Sequence, residues 1–326
     1  MYSLFDYIIT KPMGFIIEFI YSLVSNYGLS IILFTILIKL VLLPLTIKSQ
    51  KAMKKQQKIQ PIMQQLQAKY ANDQEKLQRE MMKLYKENNI SMTGGCLPML
   101  IQMPILVGLY QVIQKPLSFL AGVDWAAADV INKVIDLQAR MATQFPDIIG
   151  KLTGYTMEQL ANNAQIQLSK WSEILNGATD PWVLNFNFLG LDLSNAPAQA
   201  ISYLVSGQFG ELRVIMLLLI PILAVAATIL SNKVMQAQTQ AKDPDGKTKQ
   251  PDSATQMTKS MTMLMPIMTG FFTFTLPSGL GIYWIISSLV QVIQQVALNR
   301  YFDKKEADFV VNIPETLNRK KGKKRK

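Results

Sequence analysis

The apolar positions of this chain fall into long unbroken runs separated by polar segments, without the alternation of a half-buried strand. Residues 27–47 are a run of 21 interrupted by one charge, Lys39; at ~1.5 Å per residue it reaches roughly 30 Å, the thickness of a hydrocarbon core. Further runs occupy residues 96–113, 212–230 and 261–296. The last is broken at Leu276-Pro277-Ser278-Gly279, which predicts a tight hairpin. Each of its arms holds only about 16 apolar residues, roughly 24 Å of helix, so each arm either sits in thinned membrane or re-enters from one side.

Two polar-flanked segments carry a helical period instead. Residues 12–25 put Met13, Ile16, Ile17, Ile20, Leu23 and Val24 on one face and Glu18, Ser22 and Ser25 on the other. Fourteen residues are too few to span, so with Thr10 as cap and Pro12 in the first turn the segment predicts an interfacial helix, an ordinary buried helix being the alternative. Residues 48–93 are rich in strong helix formers and predict a helical hairpin turning at Ala71-Asn72-Asp73. Ile59, Ile62, Met63, Leu66 and Tyr70 on one arm face Leu77, Met81 and Leu84 on the other, and Pro61 kinks or begins a segment of the first arm.

The expected architecture is an all-α integral membrane protein with five transmembrane helices, a cytoplasmic helical hairpin and an interfacial amphipathic helix. Residues 1–26 are an outside tail with the interfacial helix, 27–47 the first span, 48–93 the hairpin and 94–120 the second span. Residues 121–211 are an extracytoplasmic region, 212–232 the third span, 233–260 a cytoplasmic loop, 261–299 the fourth and fifth spans, and 300–326 a basic cytoplasmic tail. Within the outside region, residues 124–179 read as an extra insertion, with a helix-like run over 157–175 that includes Trp171.

Composition agrees with this segregation: the chain is 49% hydrophobic with a mean hydropathy of +0.18, yet its net charge is +11. Residues 48–93 hold ten Lys or Arg, whereas residues 121–213, about twice as many, hold five. The positive-inside rule therefore puts the hairpin in the cytoplasm, the N-terminus outside and the C-terminus inside. The start, MYSLFDYIIT, lacks a basic flank, so no cleavable signal peptide is expected and the first span directs targeting. Histidine is absent and Cys96 is the sole cysteine, which removes disulfides, thiolate zinc sites and every His-based triad. No catalytic residue, metal or cofactor is expected.

The position that carries chemistry is Lys39, since a bare charge at a helix centre costs ~2.5 to 3.5 kcal/mol on insertion scales. Either the lysine serves a function there, or it snorkels roughly 12 Å toward the end of the span with the help of water. Thr35, Gln102, Gln111, Ser287, Ser288, Gln291, Gln294 and Gln295 also interrupt the apolar runs; each is interhelical glue or a wall of a wet groove. No Asp or Glu lies inside any of these runs, so a counter-charge arriving on a substrate would make the site a receptor for acidic segments. In the tail, Arg319, Lys320, Lys321, Lys323, Lys324, Arg325 and Lys326 form a patch suited to anionic lipid or to ribosomal RNA phosphates, with nothing that points to DNA.

These residues resemble the YidC family of membrane protein insertases over nearly all of the chain except the outside region. The resemblance is carried by Leu84-Tyr85, Gly95-Cys96-Leu97-Pro98, Gln102, Pro104 and Leu109-Tyr110, and later by Pro277, Gly279, Tyr283, Trp284 and Gln294-Gln295. The chain departs from the family at Lys39, where an arginine is usual, at Ser91-Met92 (Asn-Pro) and at Ser287-Ser288 (Ser-Asn). Lysine keeps the charge but loses the forked donor geometry. The chain is similar to the shorter, Gram-positive members that lack the large outside domain.

The resemblance implies a groove open to cytosol and lipid, with Lys39, Thr35, Gln102, Trp284, Ser288 and Gln291 as its substrate-facing residues. Lys39 would attract acidic residues of a client, whose apolar span then slides along the third and fifth spans into lipid. Met53, Met63, Met81 and Met82 would offer an adaptable first contact on the hairpin, or simply form its core. The implied partners are nascent membrane proteins, anionic lipids, the ribosome through the tail, and the Sec translocon if the protein does not work alone; the implied location is the bacterial cytoplasmic membrane. Two rival classes stand beside this reading. A small-solute or anion transporter would use the buried lysine and glutamines to coordinate its cargo, although no internal repeat is found. An assembly chaperone would bind client spans without Lys39.

Overall fold

The computed structural model describes residues 4–90, 97–146, 157–205, 207, 212–239, 253–305 and 312. Among these the fold is all-α apart from one short β-hairpin. Three helices are long and apolar enough to cross a membrane, or four if one bent pair counts as a span. The chain divides into two compact units. The first comprises Met1–Ile38, Gln102–Val225 and Thr269–Ser287; the second comprises Lys39–Ile101, Ala226–Met268 and Ser288–Lys326.

Helix α1 (Lys11–Val24) continues a π-helical turn over Asp6–Thr10. Pro12 has no N–H to donate, and the wider turn ahead of it gives its ring room, so the helix does not begin at the proline. Thr10 accordingly is no cap: it lies within the helix and its hydroxyl donates to Asp6 and Gln111. The continuous Asp6–Val24 helix has 19 residues, roughly 28 Å, so the argument that this segment is too short to span fails on length. Met13, Gly14, Ile17 and Ile20 are buried, while Phe15, Phe19 and Leu23 are exposed beside Glu18 and Ser22. Leu23 is therefore exposed, unlike Met13, Ile17 and Ile20, with which the sequence groups it on one face.

Helix α2 (Tyr27–Val41) starts on Asn26, whose side chain accepts from Leu29 N–H at 3.0 Å. It ends at Leu42, where the chain turns by 58° into α3 (Leu43–Lys69), with Pro44 in that helix's first turn. The run 27–47 is thus a broken helix rather than one straight span. Helix α3 passes through Pro61 without interruption and meets α4 (Gln74–Glu87) after a turn capped by Asp73, which accepts from Lys76 N–H. Their seam holds Ile59, Ile62, Leu66 and Leu84, with Met63, Tyr70 and Leu77 against it, and adds Tyr85 and Ile90. Helix α5 (Leu97–Gln114) and the short α6 (Pro116–Leu120) follow; Ser91, Met92, Gly95 and Cys96 lie outside the described residues.

Between residues 121 and 211 the helix expected over 157–175 is present as α8 (Met157–Asn163) and α9 (Gln165–Asn176), preceded by α7 (Ala128–Gln144), which sequence inspection overlooked. Strands β1 (Asn187–Phe188) and β2 (Leu191–Asp192) pair antiparallel, and α10 (Gln199–Val205) leads toward α11 (Leu212–Thr239). This region is no appendage, because Val134, Leu137, Leu168 and Trp171 share one core with Ile17, Ile31 and Leu117.

Helices α12 (Ser253–Thr275) and α13 (Ser278–Lys305) flank the expected break. The segment 193–198 holds that break by backbone bonds: Ala198 N–H donates to Phe274 C=O, and Ser278 and Gly279 N–H donate to Asn195 and Leu193 C=O. Ser278–Phe302 is a 25-residue candidate span, longer than the arm of about 16 apolar residues expected there. α13 reaches this length because its polar residues turn inward. Gly281 allows close packing, since a Cβ there would lie 2.3 Å from Ile220 Cγ2 of α11.

Candidate functional site

Helix α13 crosses the second unit with one polar edge. Ser288, Gln295 and Asn299 are buried and Gln291 and Gln294 half-buried, while Leu289, Ile293 and Val296 are exposed. This is the inverse of a soluble helix and suits a bundle in lipid, where polar groups turn to the protein interior. The same inversion holds on α11, which buries Thr228, Ser231 and Asn232 and exposes Ile229 and Leu230.

Lys39 stands in the last turn of α2, half-buried and three residues before the bend at Leu42. There the carbonyls lose their regular intrahelical partners and the helix dipole favours a cation. Gln294 Nε2 donates to the Lys39 carbonyl oxygen at 3.1 Å. One residue on, Gln295 accepts from Gln50 Nε2 of α3. Lys54 Nζ donates to the Asn299 carbonyl at 3.3 Å and lies 5.6 Å from the Phe302 ring centre. Asn299 is only 8% exposed, and among the described residues neither its side-chain nitrogen nor its oxygen has a hydrogen-bond partner. Leaving such a group unsatisfied costs ~1 to 3 kcal/mol, which marks the position as more than packing.

In the first unit, Gln102 Nε2 donates to the buried Tyr283 hydroxyl. Thr35 is buried with its hydroxyl bonded to Ile31 C=O at 2.6 Å, the back-bonding of a threonine within a helix. Trp284 stacks on Phe272, with ring centres 6.3 Å apart and planes 12° from parallel. The six residues expected to line a groove therefore divide between the compact units: Thr35, Gln102 and Trp284 in the first, and Lys39, Ser288 and Gln291 in the second.

The hairpin methionines also differ from one another. Met63 joins the α3–α4 seam and its sulfur accepts from Tyr85 OH, Met53 and Met81 are half-buried, and Met82 is exposed. Burial raises the Tyr85 hydroxyl above its ordinary pKa, partly offset by a hydrogen bond from Gln56. Arg319, Lys320, Lys321, Lys323, Lys324, Arg325 and Lys326 lie outside the described residues.

Sequence inspection missed Ser49, Gln50, Thr228, Ser231, Asn232 and Asn299, all buried in the second unit. The spacing of Thr228, Ser231 and Asn232, on one face within an apolar run, is the signal that was available.

Among the described residues between 121 and 211, two ion pairs join separate elements, besides Arg140–Asp136 within α7. Lys133 Nζ contacts both Asp180 oxygens at 2.7 and 2.8 Å, and Lys170 Nζ lies 2.8 Å from Asp192 Oδ2. Burial alone would raise both carboxyls. Hydrogen bonds from Lys133, Trp182 N–H and Ser172 to Asp180, and from Lys170 and Ser194 to Asp192, outweigh it, and both sit below the usual carboxylate range.

Long apolar helices with inward-facing polar edges define an integral membrane protein that crosses the bilayer more than once. The pattern of the 60Kd inner membrane protein family matches residues 19–305, and the chain belongs to that family. It is 48% identical over 106 residues to a membrane protein insertase YidC of Nitratidesulfovibrio vulgaris (strain DSM 19637 / Miyazaki F), a stretch covering 32% of this chain and 20% of that protein. Over 105 residues it is 45% identical to a protein of the same name from Geobacter sulfurreducens, covering 32% of this chain and 20% of that protein. Over 197 residues it is 36% identical to a namesake from Geotalea daltonii, covering 60% and 34%. The chain thus spans between a fifth and about a third of the length of these relatives.

Proposed function

We propose that this protein inserts other membrane proteins into the bilayer and assists their folding, with no enzymatic chemistry of its own. The observation that carries the reading is the buried polar edge of the second unit, from Lys39 and Gln294 to Asn299, within helices whose outward faces are apolar. A surface of this kind receives a hydrophilic segment that lipid excludes. Membership in a family whose named relatives are insertases supports the same conclusion.

In this reading five helices cross the bacterial cytoplasmic membrane, with the N-terminus outside, the C-terminus and the α3–α4 hairpin in the cytoplasm, and α1 held at the outer interface. Lys39 draws an acidic leading segment of a client toward the membrane, and Ser288 and Gln291 replace part of its hydration. Thr35, Gln102 and Trp284 set the helices of the first unit. The client's apolar span then leaves along α11 and α13 into lipid, driven by hydrophobic partition. Met82, exposed on α4, together with Met53 and Met81, gives the adaptable first contact, and Met63 contributes from the hairpin core. The basic tail, Arg319 to Lys326, holds anionic lipid or ribosomal RNA, and the Sec translocon is a further partner.

The test is protease protection of a single-span client with an acidic outside tail, added to liposomes containing the purified protein or its Lys39→Ala variant. Wild type should protect the tail, and the variant should lose at least tenfold of the yield. Equal protection by both would remove the lysine from the mechanism, and no protection by wild type would remove the insertase reading.

A further inference from the structure

A cleft of about 810 Å³ opens wholly within the first unit. Its floor is apolar, from Leu184, Leu191, Val214 and Leu217, and its rim carries Tyr21, Tyr203 and three asparagines, 185, 187 and 195. Val214 and Leu217 belong to the candidate span Val214–Met235, so the floor is in part the end of a membrane helix. The size is that of a ligand site, with an apolar base and a few polar groups to fix orientation.

The charges of the lining do not balance. Lys170 is spent inside the wall, 2.8 Å from Asp192 Oδ2 and 3.2 Å from Asn195 Oδ1. Glu173 projects one turn further along α9, exposed, and has no ion pair among the described residues. One lysine against two carboxylates leaves a negative charge on the rim, beside two tyrosine rings that attract cations. Asn187 is exposed, and its side-chain amide has both a donor and an acceptor to offer, the complement of a peptide backbone group.

We propose that this cleft binds an extended polypeptide segment through a primary ammonium group, either a lysine side chain or a free N-terminus, paired with Glu173. The source of the polypeptide rests on the insertase reading: a client segment delivered beyond the membrane would meet the cleft at the end of α11. The cleft would retain it while the following span leaves for lipid.

The test uses the full chain in phosphatidylcholine nanodiscs, whose lipid headgroup carries no primary amine. The probe is a fluorescent acetylated hexapeptide, Gly-Asn-Lys-Gly-Asn-Gly, followed by anisotropy beside its Lys→Glu counterpart. The lysine peptide should bind at least fivefold more tightly than the glutamate peptide, and Glu173→Gln should weaken it about fivefold, the scale of one partly exposed ion pair. Asn187→Trp, which fills the cleft from an exposed position, should abolish binding while the protein melts as wild type does. Three results would overturn the proposal: no saturable binding, equal affinity for the two peptides, or an unchanged affinity in Glu173→Gln. Displacement by phosphoethanolamine at the concentration that the unlabelled peptide needs would overturn its polypeptide part. Client insertion, measured separately, separates the two readings: insertion without peptide binding overturns the cleft alone, and peptide binding without insertion overturns the insertase reading alone.

Discussion

Replacing Gly281 with alanine tests the contact that sets α13 against α11. The added Cβ would lie 2.3 Å from Ile220 Cγ2, more than 1 Å inside ordinary van der Waals distance. Ile220 is 3% exposed, and its β-branched side chain has one favoured rotamer in a helix, so the methyl cannot swing away and the helices must part. Overpacking of this kind costs about 1 to 3 kcal/mol. Because α13 carries Tyr283, Trp284, Ser288, Gln291 and Gln294, the shift also turns its polar edge. The decisive control is Ile220→Leu, which moves the branch from Cβ to Cγ at equal volume and by itself costs under about 1.5 kcal/mol. The double variant should recover at least half of the loss, a coupling that only contacting residues give. Unfolding in mixed micelles with rising SDS, followed by tryptophan fluorescence, measures all four proteins. A neutral Gly281→Ala, or strictly additive effects with Ile220→Leu, would refute close packing at this point.

Two further predictions test the polar edge and the outer region. Asn299→Leu removes a buried amide without partners, so the protein should gain about 1 to 3 kcal/mol in the same assay while client insertion falls; a loss of stability would mean that the amide is satisfied in the native protein. Asp180 and Asp192 have lowered carboxyl pKa values in the folded state, so their contribution is complete above the usual carboxylate range and is lost as the pH falls through that range to the lowered values. Protection of the α7 and α9 amides against hydrogen exchange, taken relative to the intrinsic rate at each pH, should therefore fall on acidification, and Asp180→Asn should flatten that dependence; an unaltered profile in the variant would sink the assignment.

The apolar runs themselves announce the membrane helices, because partition into hydrocarbon is close to a sum over residues and needs no knowledge of neighbours. For the same reason the α3–α4 seam and the break before α13 were legible from local signals: helical spacing of Ile59, Ile62 and Leu66 with Leu84, and a Pro-Ser-Gly turn. The motifs around Gln102 and Tyr283 likewise sufficed to indicate the family. Local signals misled where two preferences compete. Pro12 reads as a helix start, yet a π turn carries the helix past it; the run 27–47 carries no signal of the 58° bend at Leu42.

The tertiary structure alone decided which side chains meet. Gln294 donates to the Lys39 carbonyl across 255 positions of sequence, Gln50 pairs with Gln295 across 245, and the segment at Leu193 and Asn195 holds the turn before α13. The sequence contains the amides and carbonyls, but their pairing depends on helix rotation, which is fixed by close contacts such as Gly281 on Ile220. Partition free energy places a helix in the membrane and is nearly indifferent to its rotation. Packing and hydrogen bonding choose that rotation, and with it which polar side chains line the interior.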